Sequence, residues 1–358
     1  MGSEMCIRDR STTGPLAWIK TNLFSSPLNT ALTVLSLWLL WTIVPPFINW
    51  VFLESIWDAA DRKDCWAQMP NPREGACWAF IIGSFEFFVY GWYPDTEKWR
   101  VNLSFIILIF AIVGVLKEKL PGKKYWLLFA GAFPFIAAWL LLGGFGLKEV
   151  ETSKIGGILL TVIIGITGIS FSLPIGIVLA LGRRSKMPAL SSVCVIFIEF
   201  IRGVPLITLL FVASTMLTYF LPPGSTFDLL MRVLIMVTLF QSAYIAEIVR
   251  GGLQGLSQGQ YEAADSLGLN YWKAHRLIIL PQALKISIPP IVNTFISLFK
   301  DTTLVLIIGM MDIVGLGRAR LNDPYWLGLA GELYLFIAIF FFICCFSMSR
   351  YSINLENK

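Results

Sequence analysis

Apolar residues in this chain come in runs far longer than a soluble helix needs. Eight stretches have the length and sparse charge of a bilayer-spanning helix. They are 28–50, 101–116, 125–147, 155–182, 189–221, 226–249, 288–310 and 331–348. The pattern predicts an all-α fold: a polytopic membrane helix bundle of about eight transmembrane helices. The second stretch is short, and Trp99 and Arg100 are expected to anchor it at the interface. The fifth spans roughly 50 Å at about 1.5 Å per residue. That exceeds a hydrocarbon core of about 30 Å, so a break is expected at Gly203 and Pro205.

The polar residues between the runs set the orientation. Loop 117–124 carries Lys117, Lys119, Lys123 and Lys124 against Glu118, and loop 183–188 carries Arg183, Arg184 and Lys186 with no acid. Loop 250–287 carries Arg250, Lys273, Arg276 and Lys285 against Glu262 and Asp265. The positive-inside rule places all three in the cytoplasm, together with both termini. Loop 54–100 then lies outside, with eight acidic residues against five basic ones. Within it, Cys65 and Cys77 sit where an oxidising periplasm permits a disulfide, which spacing neither requires nor forbids. The stretch Trp78 to Tyr93, rich in Phe and Trp, is expected as a loop hugging the membrane interface, with a docking surface as the alternative.

Composition narrows the chemistry. The chain is 56% hydrophobic and 14% charged, against about a quarter charged in soluble domains. One histidine, His275, leaves no His-based metal site, and no G-x-x-x-x-G-K-[ST] loop occurs. The net charge of +5 is read as orientation, with no nucleic acid implied. Cys194, Cys344 and Cys345 are expected to pack as small hydrophobes. Residues 1–10, with Cys6, are polar and carry no assigned role. No cleavable signal peptide is expected.

One cytoplasmic loop stands apart. In 250–287, Glu262-Ala263-Ala264 is followed by Gly268, then Ile278, Leu280 and Pro281: E-A-A-x3-G-x9-I-x-L-P. This resembles the signature loop of inner-membrane permeases of binding-protein-dependent ABC importers. Three further segments resemble motifs of the polar amino acid subfamily: Phe200 to Leu206, Ala246 to Gly251 and Lys300 to Leu304. Val204 departs from the Thr often seen there. The resemblance covers about 151–350, and the front part looks like the long permease subunit of general L-amino acid importers. It implies a cytoplasmic tail over 1–27, an accessory three-helix region over 28–150, a permease core over 151–350 with coupling loop 250–287, and a tail over 351–358.

The resemblance also implies the partners. Two ATP-binding cassette ATPases would carry ATP and Mg, so this chain is itself no enzyme and holds no cofactor. A second permease, a shorter paralogue, would complete the pathway. A periplasmic binding protein would deliver a polar L-amino acid across the bacterial inner membrane. Glu262, Ala263, Ala264, Gly268, Ile278, Leu280 and Pro281 would couple to the ATPase. Helix formers at 260–267 predict a short helix there, with Gly268 allowing a turn and Pro281 stopping the return segment before the next span. Gly251, Gly255 and Gly259 predict a flexible or closely packed lead-in.

Charges inside spans are costly, so each needs protein or water to face. Glu199, Arg202, Glu247, Lys300 and Asp301, with Thr302 and Thr303, are expected to line the substrate path or to form ion pairs between spans. Glu199 and Arg202 share a helix face, and Glu247 is placed to pair with Arg202. The alternative function is an ion-coupled secondary transporter, which would need inverted repeats that the two halves do not visibly contain.

Overall fold

The computed structural model describes residues 14–356, apart from 72–73, 118–119, 217–218, 220–221 and 223–226. The tail 1–10 with Cys6, loop residues Glu118 and Lys119, and most of the predicted fifth-span end lie outside the described residues. Among those described there is helix and no strand. The chain divides into two compact units, Met1–Ile82 and Gly83–Lys358.

The first unit holds α1 (Pro15–Leu23), α2 (Pro27–Ile48) and α3 (Arg62–Gln68). Ser26 caps α2 by accepting from the Asn29 amide at 3.1 Å. Pro45 and Pro46 remove two donors near its end, and a π-turn over Asn49–Leu53 follows. The resulting apolar helix, Pro27–Leu53, has no buried residue in its most apolar stretch. Beyond it, Cys65 and Cys77 are joined in a disulfide with Cα atoms 6.0 Å apart. Trp78 donates its indole N–H to the Val51 carbonyl at 2.8 Å.

Helix α4 (Ala79–Tyr90) begins in the first unit and ends in the second. The aromatic stretch is therefore a helix and not a loop. Phe80 and Phe88 are fully buried while Phe85 stays exposed, and Phe88 stacks on Phe336.

The second unit contains the remaining apolar helices: α5 (Lys98–Leu116), α6 (Lys123–Leu142), α7 (Gly157–Arg183), α8 (Pro188–Gly203), α9 (Leu206–Phe211) and α10 (Leu229–Gln254). After them come α11 (Gln258–Ser266), α12 (Tyr271–Ala274), α13 (Leu280–Asp301), α14 (Ile313–Leu321) and α15 (Ala330–Glu356). Seven helices of the described residues are long and apolar enough to cross a membrane. The pair α8 and α9 makes an eighth if counted as one span. It bends by 103° between Gly203 and Leu206, at the expected break.

The division into units falls at 82. Val101 and Leu108 of α5 and Phe133 and Leu141 of α6 share one core with Leu159 and Leu160 of α7 and Val237 of α10. Helix α7 is the hub. A Cβ added at Gly168 would meet Leu298 and Val237, and one at Gly176 would meet Ile245. Small residues thus let α10 and α13 approach closely, as packing between membrane helices requires. Arg100 corrects the anchor expectation. It is buried, pairs with Glu97 at 2.8 Å and donates to the Lys148 carbonyl, leaving Trp99 alone exposed.

Candidate functional site: a cytoplasmic-loop elbow, a charge cluster and a polar pocket

The segment after α10 folds as an elbow. Helix α11 ends in paired bonds from Gly268 N to Asp265 O at 2.9 Å and from Leu269 N to Ala264 O at 3.2 Å. That pattern needs a left-handed residue after the helix, and Gly268 supplies it with φ of 67°. Its absent side chain faces open space, so the glycine serves the turn alone. Glu262 and Ala263 are exposed while Ala264 is buried. Leu267, Trp272 and Leu277 are each more than three-fifths exposed. Ile278 and Leu280 are half-buried and pack beside Ile279 and Ala283.

Two expectations about this loop need correcting. Pro281 does not stop a segment. The helical run Tyr271–Ile308 passes through it, and a π-turn over His275–Ile279 precedes it. A π-turn shifts the hydrogen-bond ladder by one residue, so a proline just beyond it is tolerated. Close packing at the loop's start belongs to Gly252, whose missing Cβ makes room for Ser287 and the Ala283 carbonyl, whereas Gly251 and Gly259 face open space.

A charge cluster sits where α7, α8 and α10 converge. Glu247 takes both oxygens to Arg250, lies 3.3 Å from Arg183 and 3.8 Å from Arg202. Glu199 pairs with Arg183 at 2.7 Å, not with Arg202 on its own face. Arg202 lays its guanidinium over the Tyr244 ring at 5.6 Å. Three arginines and two glutamates thus share one half-exposed network, and the mutual pairing is what makes such charges tolerable in a span.

A polar pocket of about 300 Å³ lies between α10 and α13. Phe240, Gln241 and Tyr244 line it from α10, and Asn293, Thr294, Ser297 and Asp301 from α13. The spacing 293, 294, 297, 301 puts these residues on one helix face. Gln241 is buried, and its amide nitrogen has no hydrogen-bond partner. Thr302 and Thr303 do not line the pocket, because their hydroxyls bond back to the Phe299 and Lys300 carbonyls. Lys300 is exposed and also lies off it. A second cavity, about 330 Å³ between α6, α7 and α10, is lined by Phe133, Phe171, Met231 and Leu234. It offers little to a charged ligand.

The pocket residues Gln241, Tyr244, Asn293, Thr294 and Ser297 were not anticipated from sequence. Single polar residues in an apolar run carry little signal until two helices bring them together. No group of three or more His, Cys, Asp or Glu able to hold a metal occurs among the described residues.

Residues 172–357 match the family model of the binding-protein-dependent transport system inner membrane component. The chain is 50% identical over 345 residues to the inner membrane amino-acid ABC transporter permease protein YhdY of Escherichia coli (strain K12), covering 96% of this chain and 92% of that one. It is 43% identical over 412 residues to the glutamate/glutamine/aspartate/asparagine transport system permease protein BztC of Rhodobacter capsulatus, covering 97% and 94%. Among solved structures, a crystal structure of an amino acid ABC transporter with histidines superposes with a TM-score of 0.50 at 29% identity, covering 56% of this chain and 91% of that one. The family match spans more than half the chain and the two long relatives span nearly all of it, so this chain belongs to the inner-membrane components of binding-protein-dependent transport systems.

Proposed function

We propose that this chain is the permease subunit of an ATP-driven, binding-protein-dependent amino acid importer, and that it supplies half of the translocation pathway. The elbow Gln258–Ile279 carries the reading. It is a short helix closed by Gly268 and flanked by exposed Leu267, Trp272 and Leu277. A patch of that kind on a membrane protein's loop face wants a partner. The partner proposed is an ATP-binding cassette ATPase, one for each of two permeases, with Glu262 at the contact. Nucleotide and Mg chemistry then belong to those subunits, and this chain does no hydrolysis. A shorter second permease completes the path, and a periplasmic binding protein delivers a polar L-amino acid. The basic loops face the cytoplasm, as do both ends of the chain.

Within the chain, the pocket of α10 and α13 is the proposed contact with the passing amino acid. Asp301 faces the ammonium, and the Gln241 and Asn293 amides face the carboxylate or a polar side chain. The volume lies at the small end of ligand sites, as a single amino acid requires.

The test uses the assembled transporter in proteoliposomes, with binding protein outside and ATP inside. Glu262→Lys or Gly268→Val should lower uptake at least tenfold and abolish stimulation of ATPase by the binding protein, with membrane insertion unchanged. Valine at a φ of 67° costs about 1–2 kcal/mol, enough to reset the turn without unfolding the spans. Normal uptake and normal stimulation in both variants defeat the proposal. So does uptake driven by an ion gradient with no ATPase present.

A further inference from the structure

The end of α7 carries two adjacent arginines that reach in different directions. Arg183 donates to Glu199 of α8 at 2.7 Å and lies 3.3 Å from Glu247 of α10. Arg184 donates to the hydroxyl of Tyr261 at 3.2 Å, with its guanidinium 5.6 Å from the same ring. Tyr261 sits in α11, immediately before Glu262, and its hydroxyl donates in turn to the Leu253 carbonyl at 2.9 Å. Its other neighbour is His275, ring to ring at 6.3 Å. One tyrosine therefore ties the loop helix to the ends of α7 and α10, and one residue away along the backbone the charge cluster begins.

We infer that Arg183 and Arg184 form a transmission link. Arg184 senses the position of α11 through Tyr261, and Arg183 passes that position to α8 through Glu199 and Glu247. The inference rests on reading α11 as the ATPase-contacting helix. The mechanical logic is short. Arg183 and Arg184 share one peptide bond, and α7 ends between them. A shift of Tyr261 therefore moves the point from which Arg183 holds its two carboxylates. Both carboxylates stand near the 103° break, Glu199 four residues before Gly203. The same shift thus acts on the one span whose direction changes abruptly. These are positioning residues, since none of them lines the polar pocket.

The experiment measures amino acid taken up per ATP hydrolysed in proteoliposomes holding the complete transporter and its binding protein. Tyr261→Phe keeps the ring and removes both hydroxyl bonds. Arg183→Ala removes the other end of the link. Each is expected to lower the uptake-to-ATP ratio about fivefold, with binding-protein-stimulated ATPase within twofold of wild type. The double variant should be no worse than the weaker single variant, because the two steps lie in series. Two unrelated structural lesions would instead multiply to about 25-fold. The exchange Arg183→Glu with Glu199→Arg should recover at least half of the lost ratio.

Wild-type ratios in Tyr261→Phe and Arg183→Ala overturn the link, as does a multiplicative double variant. If Arg183→Ala yields no assembled complex, Tyr261→Phe alone decides by its ratio. Glu262→Lys run alongside separates the two readings. If it uncouples while Tyr261→Phe does not, the link fails and the reading of α11 stands. If Glu262→Lys is normal, the reading of α11 fails.

Discussion

Helix α10 serves two polar regions about 9 Å apart along its axis, and they differ in how fully their groups are satisfied. At Glu247 both carboxylate oxygens are taken, and three arginines surround them. Toward the other end, Gln241 has an amide nitrogen with no partner, and Asp301 across the pocket holds no ion pair among the described residues. Tyr244 stands between, lining the pocket with one part while its ring carries Arg202. A polar group in a span must be satisfied by something. The cluster's carboxylates are satisfied by the protein, with only the Arg202 Nε left over among its buried atoms, which suits holding helices together. On the proposed reading, the pocket's unsatisfied groups are the ones a passing amino acid would meet.

Substitutions in the two regions are expected to act on different properties of the protein. Glu247→Ala leaves three arginines with Glu199 as their one carboxylate, and in this half-exposed network the loss is expected at about 2 kcal/mol, between the exposed and buried limits. Thermal unfolding in detergent should show a loss of that order, and an unchanged midpoint would mean the cluster holds nothing. Asp301→Asn should leave the unfolding midpoint nearly unchanged but lower uptake roughly 30-fold, since a hydrogen bond to a charged group is worth about 2 kcal/mol. A destabilised protein with normal uptake would reverse the assignment of the two regions.

Asp312 is the intermediate case. It is fully buried outside the spans, and one oxygen caps α14 by accepting from the Gly315 amide at 2.9 Å. The other oxygen is unpartnered. Burial pushes its carboxyl up to about 6, above an ordinary Asp value of about 3.9. The folded state therefore binds the extra proton, and this group's contribution to stability falls as pH rises from about 4 to 6, then levels. Asp312→Asn keeps the cap and removes the buried charge, yet leaves a buried amide N–H unsatisfied. It should stabilise the protein by about 1 kcal/mol at pH 7.5, the relief of the buried charge exceeding the unsatisfied amide, and the gain should turn into a loss as pH falls toward 4. Unfolding curves across that range check the sign.

The spans, the break at Gly203–Pro205 and the helix around Glu262 were legible because each follows from local rules: apolar length, a missing donor, helix formers ending in glycine. What sequence could not supply was partner choice. Glu199 and Arg202 share a helix face, yet Arg183 reaches Glu199 first because α7 ends against α8. Asp301 was legible as a charge in a span, but Thr302 and Thr303 turn back to their own helix, and Gln241 and Asn293 take their place only once α10 meets α13. Pro281 misled for the same reason. Alone it reads as a stop, but after a π-turn it is simply another helical residue.

That uninterrupted passage has a mechanical consequence. From Tyr271 to Ile308 the chain is one helical rod of 38 residues, roughly 55 Å at about 1.5 Å per residue. A bilayer's apolar core takes about 30 Å of it. On the proposed reading the remainder would project as a handle, with Trp272 near its tip and Asp301 on the shaft. On that same reading, a tilt applied near Trp272 would swing the shaft about its seat against α10, and a push from a bound ATPase would reach the polar pocket along the helix itself.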